Sequence, residues 1–564
     1  MIYDVIIIGC GPAGLQLSYF LSKLPNKLHF CVLEKSSNVG SFFEKFPHTS
    51  SLISINKVHT GYDNQDFNLR HDWNSLLNDE GIAMNMITDE YFPTRQHLVQ
   101  YLEMFKLKHN LDNFIRFNTN VHRILKSNDV FSVLCNDKKI FKAKKIVVAT
   151  GLSKYNIPSN IINADTLSKH YAEYPTGWFE NKESLQSYKN KRVLIIGNGN
   201  SGFEIANALT KYCATIILLG KKQPRPALLS HYVGDVRSKY FDFYDTFLLK
   251  SLNALDECTR HLSLRKLPDG KIALYNNYDS KNWYDDVYFD EVINCTGWKF
   301  DLDIFDQSTL PVMHNSGKYP IITPRFESAN VNNMYFIGSL MHLFDYKKSS
   351  GGFIHGFRYL IDNFVKINFT SFQPPLALVP CNSPLVPCNS PLVLCKSIVD
   401  HFDKRINQSS ALYQMFGQIG DIFWKIGDEY IYHESIPLTY VLSQYNNKID
   451  IPNIIIFILT LEYGRDQVSD LNRVGVNFVQ SIGDENKATL LQPILRVYDN
   501  SDGDLINNEI FIASPNNFQH LPGLLDVHFF SEDLLANFSL DLNYKTKFNR
   551  IIKGYTLASH KTCI

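Results

Sequence analysis

Two stretches of the chain decide its fold: YDVIIIGCGPAGLQLSYFLSKL at 3–24 and KRVLIIGNGNSGFEIANALTKY at 191–212. Each runs from an apolar strand through a glycine-rich turn into an amphipathic helix, which is the setting that a dinucleotide-binding fingerprint requires. The first glycine permits a tight turn, the second lets a pyrophosphate approach the backbone, and the third lets the helix pack closely on the sheet. The sequence therefore predicts two dinucleotide-binding folds in one chain.

The first cradle is the hexapeptide GCGPAG at 9–14, at the start of a predicted helix whose N-terminus faces the negative phosphates. Glu34 lies twenty residues beyond Gly14, at the end of the next predicted strand. A carboxylate at that place can accept hydrogen bonds from ribose hydroxyls. The alternative is an ordinary glycine turn, which would need neither the flanking strand and helix nor the distal acid.

The second cradle is the hexapeptide GNGNSG at 197–202. The strand after it ends at Gly220 and is followed by Lys221, Lys222 and Arg225, with no acid beside them in the sequence. An acid would bind the ribose 2′-hydroxyl of NAD and repel a 2′-phosphate, whereas cations favour NADP. The alternative is that these are ordinary exposed basic residues of a loop.

Two dinucleotide folds in one chain imply one tightly held cofactor and one that exchanges, and the natural pair is FAD and NADPH with hydride transfer between them. The segments VVATG at 147–151 and NCTG at 294–297 are predicted to connect the two folds. Later glycines either complete the flavin site or only make turns. The candidate cofactor-binding residues are Gly9, Gly11, Pro12, Ala13, Gly14, Glu34, Lys35, Gly40, Ser41, Phe42, Val121, Thr150, Gly151, Gly338 and Gly352 for FAD, and Gly197, Asn198, Gly199, Asn200, Ser201, Gly202, Lys221, Lys222 and Arg225 for NADPH.

Strand signals alternate with helical ones from the first cradle to the apolar helix GGFIHGFRYLIDNFVKI at 351–367, which predicts parallel βαβ sheets. The predicted fold class is α/β, with two Rossmann-type dinucleotide-binding domains, the second inserted in the first, and a smaller C-terminal α/β domain. The predicted boundaries are 1–165 and 299–368 for the two parts of the FAD-binding domain, 166–298 for the NADPH-binding domain, 369–396 for a linker, and 397–564 for a C-terminal domain of unassigned role.

Composition excludes several classes of protein. The 564 residues are 45% hydrophobic and carry 56 basic and 56 acidic side chains, so the chain lacks the basic surplus of a nucleic-acid-binding protein. The most apolar run, 454–461, is far shorter than the ~20 residues of a membrane span. The ten cysteines include no Cys-x-x-Cys pair, which argues against a built-in dithiol and against a metal site. A tandem heptad LVPCNSP at 378–384 and 385–391 marks the linker.

Several strings together resemble the flavin-containing monooxygenase superfamily: the two cradles, Glu34, YFPTRQHLVQYL, VVATG and INCTGW. Within it, the chain is similar to the endoplasmic-reticulum flavoproteins associated with degradation, through GSFFEKFPHTSSLISINKVHTG, FNLRHDWNSLL, SHYVGD, DYKKSSGGFIHGFRY and SALYQMF. This resemblance implies bound FAD and a lumenal role in the disposal of misfolded glycoproteins, with lumenal disulfide oxidoreductases as possible partners. The monooxygenase string FxGxxxHxxx(Y/F) is not found before the second cradle, which argues against oxygen insertion.

The resemblance places one catalytic candidate, Asn56, where the superfamily uses an asparagine to position oxygen and nicotinamide; a capped turn is the structural alternative. The expected location is the endoplasmic-reticulum lumen, with the cytoplasm as the alternative because neither a signal peptide nor a retention signal is recognised in the sequence. Three functions stay open: an FAD/NADPH oxidoreductase with monooxygenase-like or oxidase turnover, a reductase of a partner's disulfide, and a client-binding protein in which FAD is structural. Five histidines in the family-like strings are expected to be structural or to line the flavin rather than to act as general bases: His59, His71, His231, His342 and His355.

Overall fold

A computed structural model describes residues 2–136, 138–250, 254–257, 261–276, 287–370, 402, 404–426, 429–446, 454–463, 491–499 and 506–511. The described residues belong to two compact units. The first is drawn from Met1–Asn56 and Asn74–Ile361, and the second from Lys57–Trp73 and Asp362–Ile564. Most of the predicted linker, 371–396, lies outside the described residues.

The chain begins with the strand, helix and strand that the first cradle predicts. Strand β1 (Ile2–Ile8) pairs in parallel with β2 (Phe30–Leu33), and helix α1 (Pro12–Lys23) connects them. Proline suits the first position of α1 because its fixed φ is already helical and its missing N–H would have no partner there. The elements that follow are helices α2 (Gln65–Asn68) and α3 (Arg95–Lys108) and strands β3 (Ile115–Arg116), β4 (Val121–Ser127), β5 (Val130–Cys135) and β6 (Ile140–Val148).

The next part of the chain builds a second parallel sheet around the second cradle. Strands and helices alternate here as the sequence predicts, with a few short additional strands. The strands are β7 (Lys154–Tyr155), β8 (Ile161–Ile162), β9 (Lys169–His170), β10 (Arg192–Ile196), β11 (Thr215–Gly220), β12 (Ala254–Glu257), β13 (Leu262–Lys266), β14 (Ile272–Asn276), β15 (Glu291–Asn294) and β16 (Trp298–Lys299). The helices are α4 (Ala164–Leu167), α5 (Lys182–Gln186), α6 (Asn200–Leu209), α7 (Ala227–Ser230) and α8 (Asp242–Lys250).

Two further elements, β17 (Met334–Phe336) and α9 (Ile354–Phe369), follow the second sheet. The first sheet has the order β3-β2-β1-β6-β5-β4, and β17 pairs in parallel with β6. The second has the order β12-β11-β10-β15-β9, and all its pairs are parallel. All strands of the second parallel sheet therefore lie in the chain between β6 and β17 of the first. The two connecting segments run side by side, since β16 pairs antiparallel with β7.

The second unit contains one five-stranded sheet in the order β19-β18-β20-β21-β22. The sequence predicts a small α/β domain here, and the described part does combine helices with strands, but every strand pair is antiparallel. An apolar strand such as IIIFIL has no feature that reveals the direction of its neighbour. The elements are α10 (Ser410–Gln414), β18 (Ile419–Ile426), β19 (Glu429–Pro437), α11 (Leu438–Asn446), β20 (Ile454–Glu462), β21 (Gln492–Asp499) and β22 (Ile506–Phe511).

The second unit also contains an early segment, Lys57–Trp73, which the predicted boundaries put inside the first part of the FAD-binding domain. Buried Arg70 explains this membership. Its Nε donates to the carbonyl of Ser409 at 3.1 Å, and its Nη2 donates to the carbonyl of Ile406 at 2.6 Å. Gln414 Nε2 in turn donates to the Arg70 carbonyl at 2.6 Å. A buried guanidinium needs such acceptors, and here they come from a part of the chain more than 300 residues later.

Candidate functional site

The glycines of the first cradle have the geometry that a bound pyrophosphate requires. Gly9 has φ +100°, and a Cβ there would lie 2.9 Å from the carbonyl oxygen of Ala149. A Cβ at Gly14 would overlap the carbonyl oxygen of Gly9, so the helix can approach the strand only without a side chain. A Cβ at Gly11 would meet nothing within 4 Å. The first cradle therefore has no room for a side chain at Gly9 or Gly14, whereas the space beside Gly11 is open.

Glu34 lies at the mouth of the first cradle and is only 4% exposed. Its Oε2 accepts from the backbone N–H of Cys10 at 2.7 Å, and its Oε1 accepts from the backbone N–H of Ser36 at 2.9 Å. The hydroxyl of Ser41 lies 3.4 Å from the same Oε1. These donors fix the carboxylate beside the cradle, where the spacing predicts a ribose.

Other candidate FAD residues converge on the same place. The N–H of Gly40 donates to the Cys10 carbonyl at 3.0 Å, and a Cβ at Gly338 would lie 2.6 Å from Ala13 Cβ. Gly151, with φ +64°, faces the hydroxyl of Ser339, which sequence reasoning missed. The Thr150 hydroxyl is buried and makes no hydrogen bond to the residues that the structure describes. An open cradle, a fixed acid and a buried hydroxyl in need of a partner fit FAD, which would supply a two-electron acceptor here.

The remaining FAD candidates differ in burial and in the groups around them. Lys35 and Phe42 are exposed. Val121 is buried at the start of β4, two residues after Thr119, whose N–H donates to the Glu34 carbonyl at 2.8 Å. A Cβ at Gly352 would clash with the ring of His342 rather than with the cradle. Contact of these four residues with FAD stays a prediction.

The second cradle repeats the glycine geometry of the first. Gly197 has φ +110°, a Cβ there would lie 2.5 Å from the carbonyl oxygen of Cys295, and a Cβ at Gly202 would overlap the Gly197 carbonyl. Gly199, like Gly11, faces open space. Ser201 hydrogen-bonds the hydroxyl of Tyr171. The backbone of this cradle thus has the shape that a second pyrophosphate needs.

The two asparagines of the second cradle bind backbone. Asn198 Nδ2 donates to the carbonyl of Lys222 at 2.5 Å. Asn200 Nδ2 donates to the carbonyl of Asp235 at 2.8 Å, and its Oδ1 accepts from the N–H of Arg237 at 2.9 Å. In this structure both side chains hold the loops around the cradle in place.

The predicted cluster of cations is only partly as expected. Lys221 and Lys222 are exposed directly after β11, where a 2′-phosphate would lie. Arg225, however, has an acidic neighbour: its Nε lies 3.3 Å from Asp235 Oδ2. The sequence shows no acid beside these cations because Asp235 reaches Arg225 through a return of the backbone, with Val236 N–H donating to the Arg225 carbonyl. Of the three cations, Asp235 therefore pairs with Arg225 and not with Lys221 or Lys222.

The catalytic candidate Asn56 is 2% exposed, and its Nδ2 donates to the carbonyls of Thr88 at 3.0 Å and Glu90 at 3.4 Å. Its own N–H donates to the carbonyl of Tyr91. These bonds occupy the amide nitrogen of Asn56, and its catalytic role stays a prediction.

Each cradle helix carries one polar side chain, two residues after its last glycine, that binds another loop of the first unit. Gln16 in α1 donates to the carbonyl of Leu77 at 2.9 Å and accepts from its N–H at 2.7 Å. Glu204 in α6 accepts from the N–H of Thr49 at 3.2 Å and from its hydroxyl. Burial raises the pKa of Glu204 above 4.5, against the lowering effect of these bonds. Neither contact is predictable from the sequence, because each joins residues more than 60 positions apart.

Other chemistries find no support in the described part of the chain. Its five described cysteines, Cys10, Cys31, Cys135, Cys213 and Cys295, are free thiols, and no three His, Cys, Asp or Glu side chains there could share a metal ion. Nor does any described helix have the length and apolarity needed to cross a membrane.

Comparison with known proteins agrees with this geometry. Residues 6–338 match the family model for pyridine nucleotide-disulphide oxidoreductases. The chain is 33% identical to FAD-dependent oxidoreductase domain-containing protein 2 of Mus musculus over 74% of this chain, but that match spans only 64% of the mouse protein. The Danio rerio protein of the same name is 29% identical over 98% of this chain and 83% of its own length.

Among solved structures, a flavin-containing monooxygenase from Stenotrophomonas maltophilia matches 65% of this chain and 98% of its own, at 19% identity and a TM-score of 0.48. The family model covers both cradles, Glu34 and the strand β17 that completes the first sheet. The chain therefore belongs to the pyridine nucleotide-disulphide oxidoreductase family and is an FAD- and NAD(P)H-dependent oxidoreductase.

Proposed function

We propose that this oxidoreductase retains FAD in the first cradle and takes its electrons from NADPH, which binds and leaves the second. One observation carries the proposal: two cradles of matching glycine geometry differ in the residues that follow their second strand. The first has the buried acid Glu34, and the second has exposed Lys221 and Lys222. A fixed acid suits an unphosphorylated ribose, and free cations suit a 2′-phosphate.

Within this proposal the chain's own residues bind and orient the two nucleotides. The helix N-termini of α1 and α6 face the pyrophosphates, and the open sides of Gly11 and Gly199 admit them. The Thr150 hydroxyl is available to hydrogen-bond the flavin nucleotide. The sequence contains no Cys-x-x-Cys pair, and in this proposal the electrons leave for a separate acceptor molecule.

The test is the absorption spectrum of the purified protein, followed by anaerobic addition of NADPH or, separately, NADH. We expect flavin bands near ~450 nm that NADPH bleaches at least about tenfold faster than NADH at equal concentration. Equal rates with both nucleotides would overturn the choice of NADPH. A bound flavin that neither nucleotide reduces would overturn the enzyme proposal and favour a structural role for FAD.

For the cellular setting, the proposal is quality control of misfolded glycoproteins in the endoplasmic reticulum. It is supported by the sequence strings shared with the endoplasmic-reticulum flavoproteins. The alternative location is the cytoplasm. Protease protection of the endogenous protein in sealed microsomes tests it, with and without detergent. Digestion without detergent would overturn the lumenal location and leave the oxidoreductase proposal unaffected.

A further inference from the structure

Three buried side chains of the first unit form a continuous line of hydrogen bonds. The Tyr232 hydroxyl lies 2.8 Å from His342 Nε2, and His342 Nδ1 lies 2.8 Å from Asp345 Oδ1. Asp345 Oδ2 accepts from the backbone N–H of Gly351 at 2.6 Å. Tyr232 is 6% exposed, and His342 and Asp345 are each 2% exposed. The three residues come from two distant parts of the sequence, and we call them the Tyr–His–Asp line.

The Tyr–His–Asp line lies between elements that belong to the two cradles. His342 is in the short 3-10 helix that begins at Gly338, the residue in contact with Ala13 of the first cradle. Tyr232 lies two residues before Gly234 in the chain. Asn200 of the second cradle donates hydrogen bonds to the carbonyls of Gly234 and Asp235. One end of the line is therefore tied to the FAD side and the other to the NADPH side. In the proposed function, a reducible substrate approaches where the two dinucleotides meet.

The two oxygens of Asp345 are both committed as acceptors, one to Gly351 N–H and one to His342. A carboxylate in that position orients the imidazole with a proton on Nδ1, so Nε2 faces the Tyr232 oxygen. When the imidazole is neutral, Nε2 accepts the tyrosine proton; when it is protonated, Nε2–H donates to the tyrosine oxygen. A proton can therefore move along the line between Tyr232 and His342.

Tyr232 cannot act as a lone base. Burial, with the nearby Tyr319, Tyr346 and Asp345, raises the pKa of its hydroxyl well above the ordinary 10. The hydroxyl thus remains protonated, and it can give up its proton only if His342 replaces it. The titratable and charged groups that face this cluster are Tyr319 and Tyr346, whose rings contact His342, Asp235, which acts on Tyr232, and Lys318 and Lys347, which lie over the Tyr346 ring.

We propose that the Tyr–His–Asp line is a proton relay, with Tyr232 as the proton donor to the substrate and His342 and Asp345 as positioning residues behind it. This rests on the proposed NADPH-dependent reduction. The reduction of a quinone illustrates why a proton donor is needed: NADPH + H⁺ + quinone gives NADP⁺ + hydroquinone. The hydride brings two electrons and one proton, so a second proton must be supplied. Tyr232 gives that proton as the imidazolium of His342 returns one to it, and the neutral imidazole is later reprotonated from water.

The first test compares two acceptors with the FAD-loaded protein and NADPH. Menadione takes up two protons with its two electrons, whereas ferricyanide takes electrons alone. We expect Tyr232→Phe to lower the ratio of menadione to ferricyanide turnover at least about tenfold, since general acids contribute about 10²–10⁴-fold. Asp345→Asn should lower the ratio and change its pH profile, and Tyr346→Phe, a neighbouring ring outside the line, should not. An unchanged ratio in Tyr232→Phe would overturn the relay.

The second test needs no cofactor turnover. In ¹⁵N-histidine NMR of the apo-protein, wild-type His342 should carry its proton on Nδ1. In Asp345→Asn, the Gly351 N–H keeps the remaining oxygen, the amide NH₂ faces His342, and the proton should move to Nε2. The same Nδ1 tautomer in both proteins would overturn the orienting role of Asp345. Failure of NADPH to reduce the wild-type flavin would overturn only the proposed function, because the tautomer is read without it.

Discussion

The first and second cradles have the same backbone geometry, but the residues that follow their second strands carry opposite charges. Gly9 and Gly197 share a positive φ, and Gly14 and Gly202 each pack against the first glycine's carbonyl so closely that no side chain fits. Around that backbone, Glu34 is buried and held by Cys10 and Ser36, whereas Lys221 and Lys222 point into solvent. The comparison teaches that two cradles with one glycine geometry can differ in the residues after the second strand, and in the proposed function these residues choose the nucleotide.

The largest effect is expected from the same substitution made in each cradle. Gly14→Ala would overlap the Gly9 carbonyl, and overpacking of this kind costs about 1–3 kcal/mol. We expect at least about a tenfold loss of FAD affinity, read as flavin per protein after purification. Gly202→Ala should retain the flavin and raise the KM for NADPH by a similar factor. Loss of flavin in both variants would mean that the two cradles are not independent.

A matched pair of controls separates packing from ligand approach. A Cβ at Gly11 or Gly199 meets nothing in the protein, so Gly11→Ala and Gly199→Ala should leave the thermal unfolding of the apo-protein unchanged. Each should still weaken its own nucleotide, because the methyl group would stand where the pyrophosphate approaches. Unchanged affinity in both would contradict the placement of the pyrophosphates.

Next in size is the loss of the first cradle's carboxylate. In Glu34→Gln the amide NH₂ must face either Cys10 N–H or Ser36 N–H, and both are donors. Leaving a buried donor without an acceptor costs about 1–3 kcal/mol, so we expect FAD to bind on the order of 10- to 100-fold more weakly. Fluorescence titration of the apo-protein with FAD measures this. Glu44→Gln, which changes an exposed acid, is the control and should bind FAD normally.

A smaller effect is expected from the two lysines that follow β11 of the second cradle. Replacing Lys221 and Lys222 by alanine should lower the ratio of kcat/KM for NADPH to that for NADH about tenfold, the loss of about one charge-assisted phosphate contact. Steady-state kinetics with both nucleotides gives the ratio. Lys189→Ala, at an exposed lysine of the same domain, should leave it unchanged. A fall in activity with both nucleotides alike would show that the lysines do not read the 2′-phosphate.

The smallest effect concerns Gln16 and Glu204, the equivalent polar residues of the two helices. The pKa of Glu204 is raised in the folded protein, so the folded state binds more protons than the unfolded one between pH 4.5 and the raised pKa. Stability should therefore fall as pH rises through that window. Glu204→Gln, which copies the first helix, should remove this part of the pH dependence in urea unfolding curves. Identical pH slopes for both proteins would contradict the assignment.

The parts of this molecule that depend on local sequence were predictable. The cradles, their strands and helices and the position of Glu34 all follow from residue types at short spacing, since a tight turn and a close helix approach demand glycine. The family match over 6–338 confirms the predicted oxidoreductase class. The hydrogen-bond partners of Asn56 are not revealed by any motif, because Thr88 and Glu90, whose carbonyls accept from its amide nitrogen, lie more than 30 residues later in the chain.

The parts that depend on tertiary contacts were not predictable. Asp235 pairs with Arg225, and Asp345 orients His342 toward Tyr232, 110 residues earlier in the chain. The sequence predicts that His342 is structural or lines the flavin, and it does not show which side chains contact this histidine. Only folding brings such side chains together, so single-sequence patterns of helix and strand contain no record of them.

The placement of Arg70 has a consequence for synthesis on the ribosome. Its carbonyl acceptor at Ser409 is 339 residues further along the chain. At translation rates of roughly 5–20 residues per second, the guanidinium waits roughly 20 to 70 s before that acceptor emerges. The second cradle is synthesised within this interval, and the first before it. The hydrogen bonds of Arg70 to the carbonyls of Ile406 and Ser409 can therefore form only after both cradles have been synthesised.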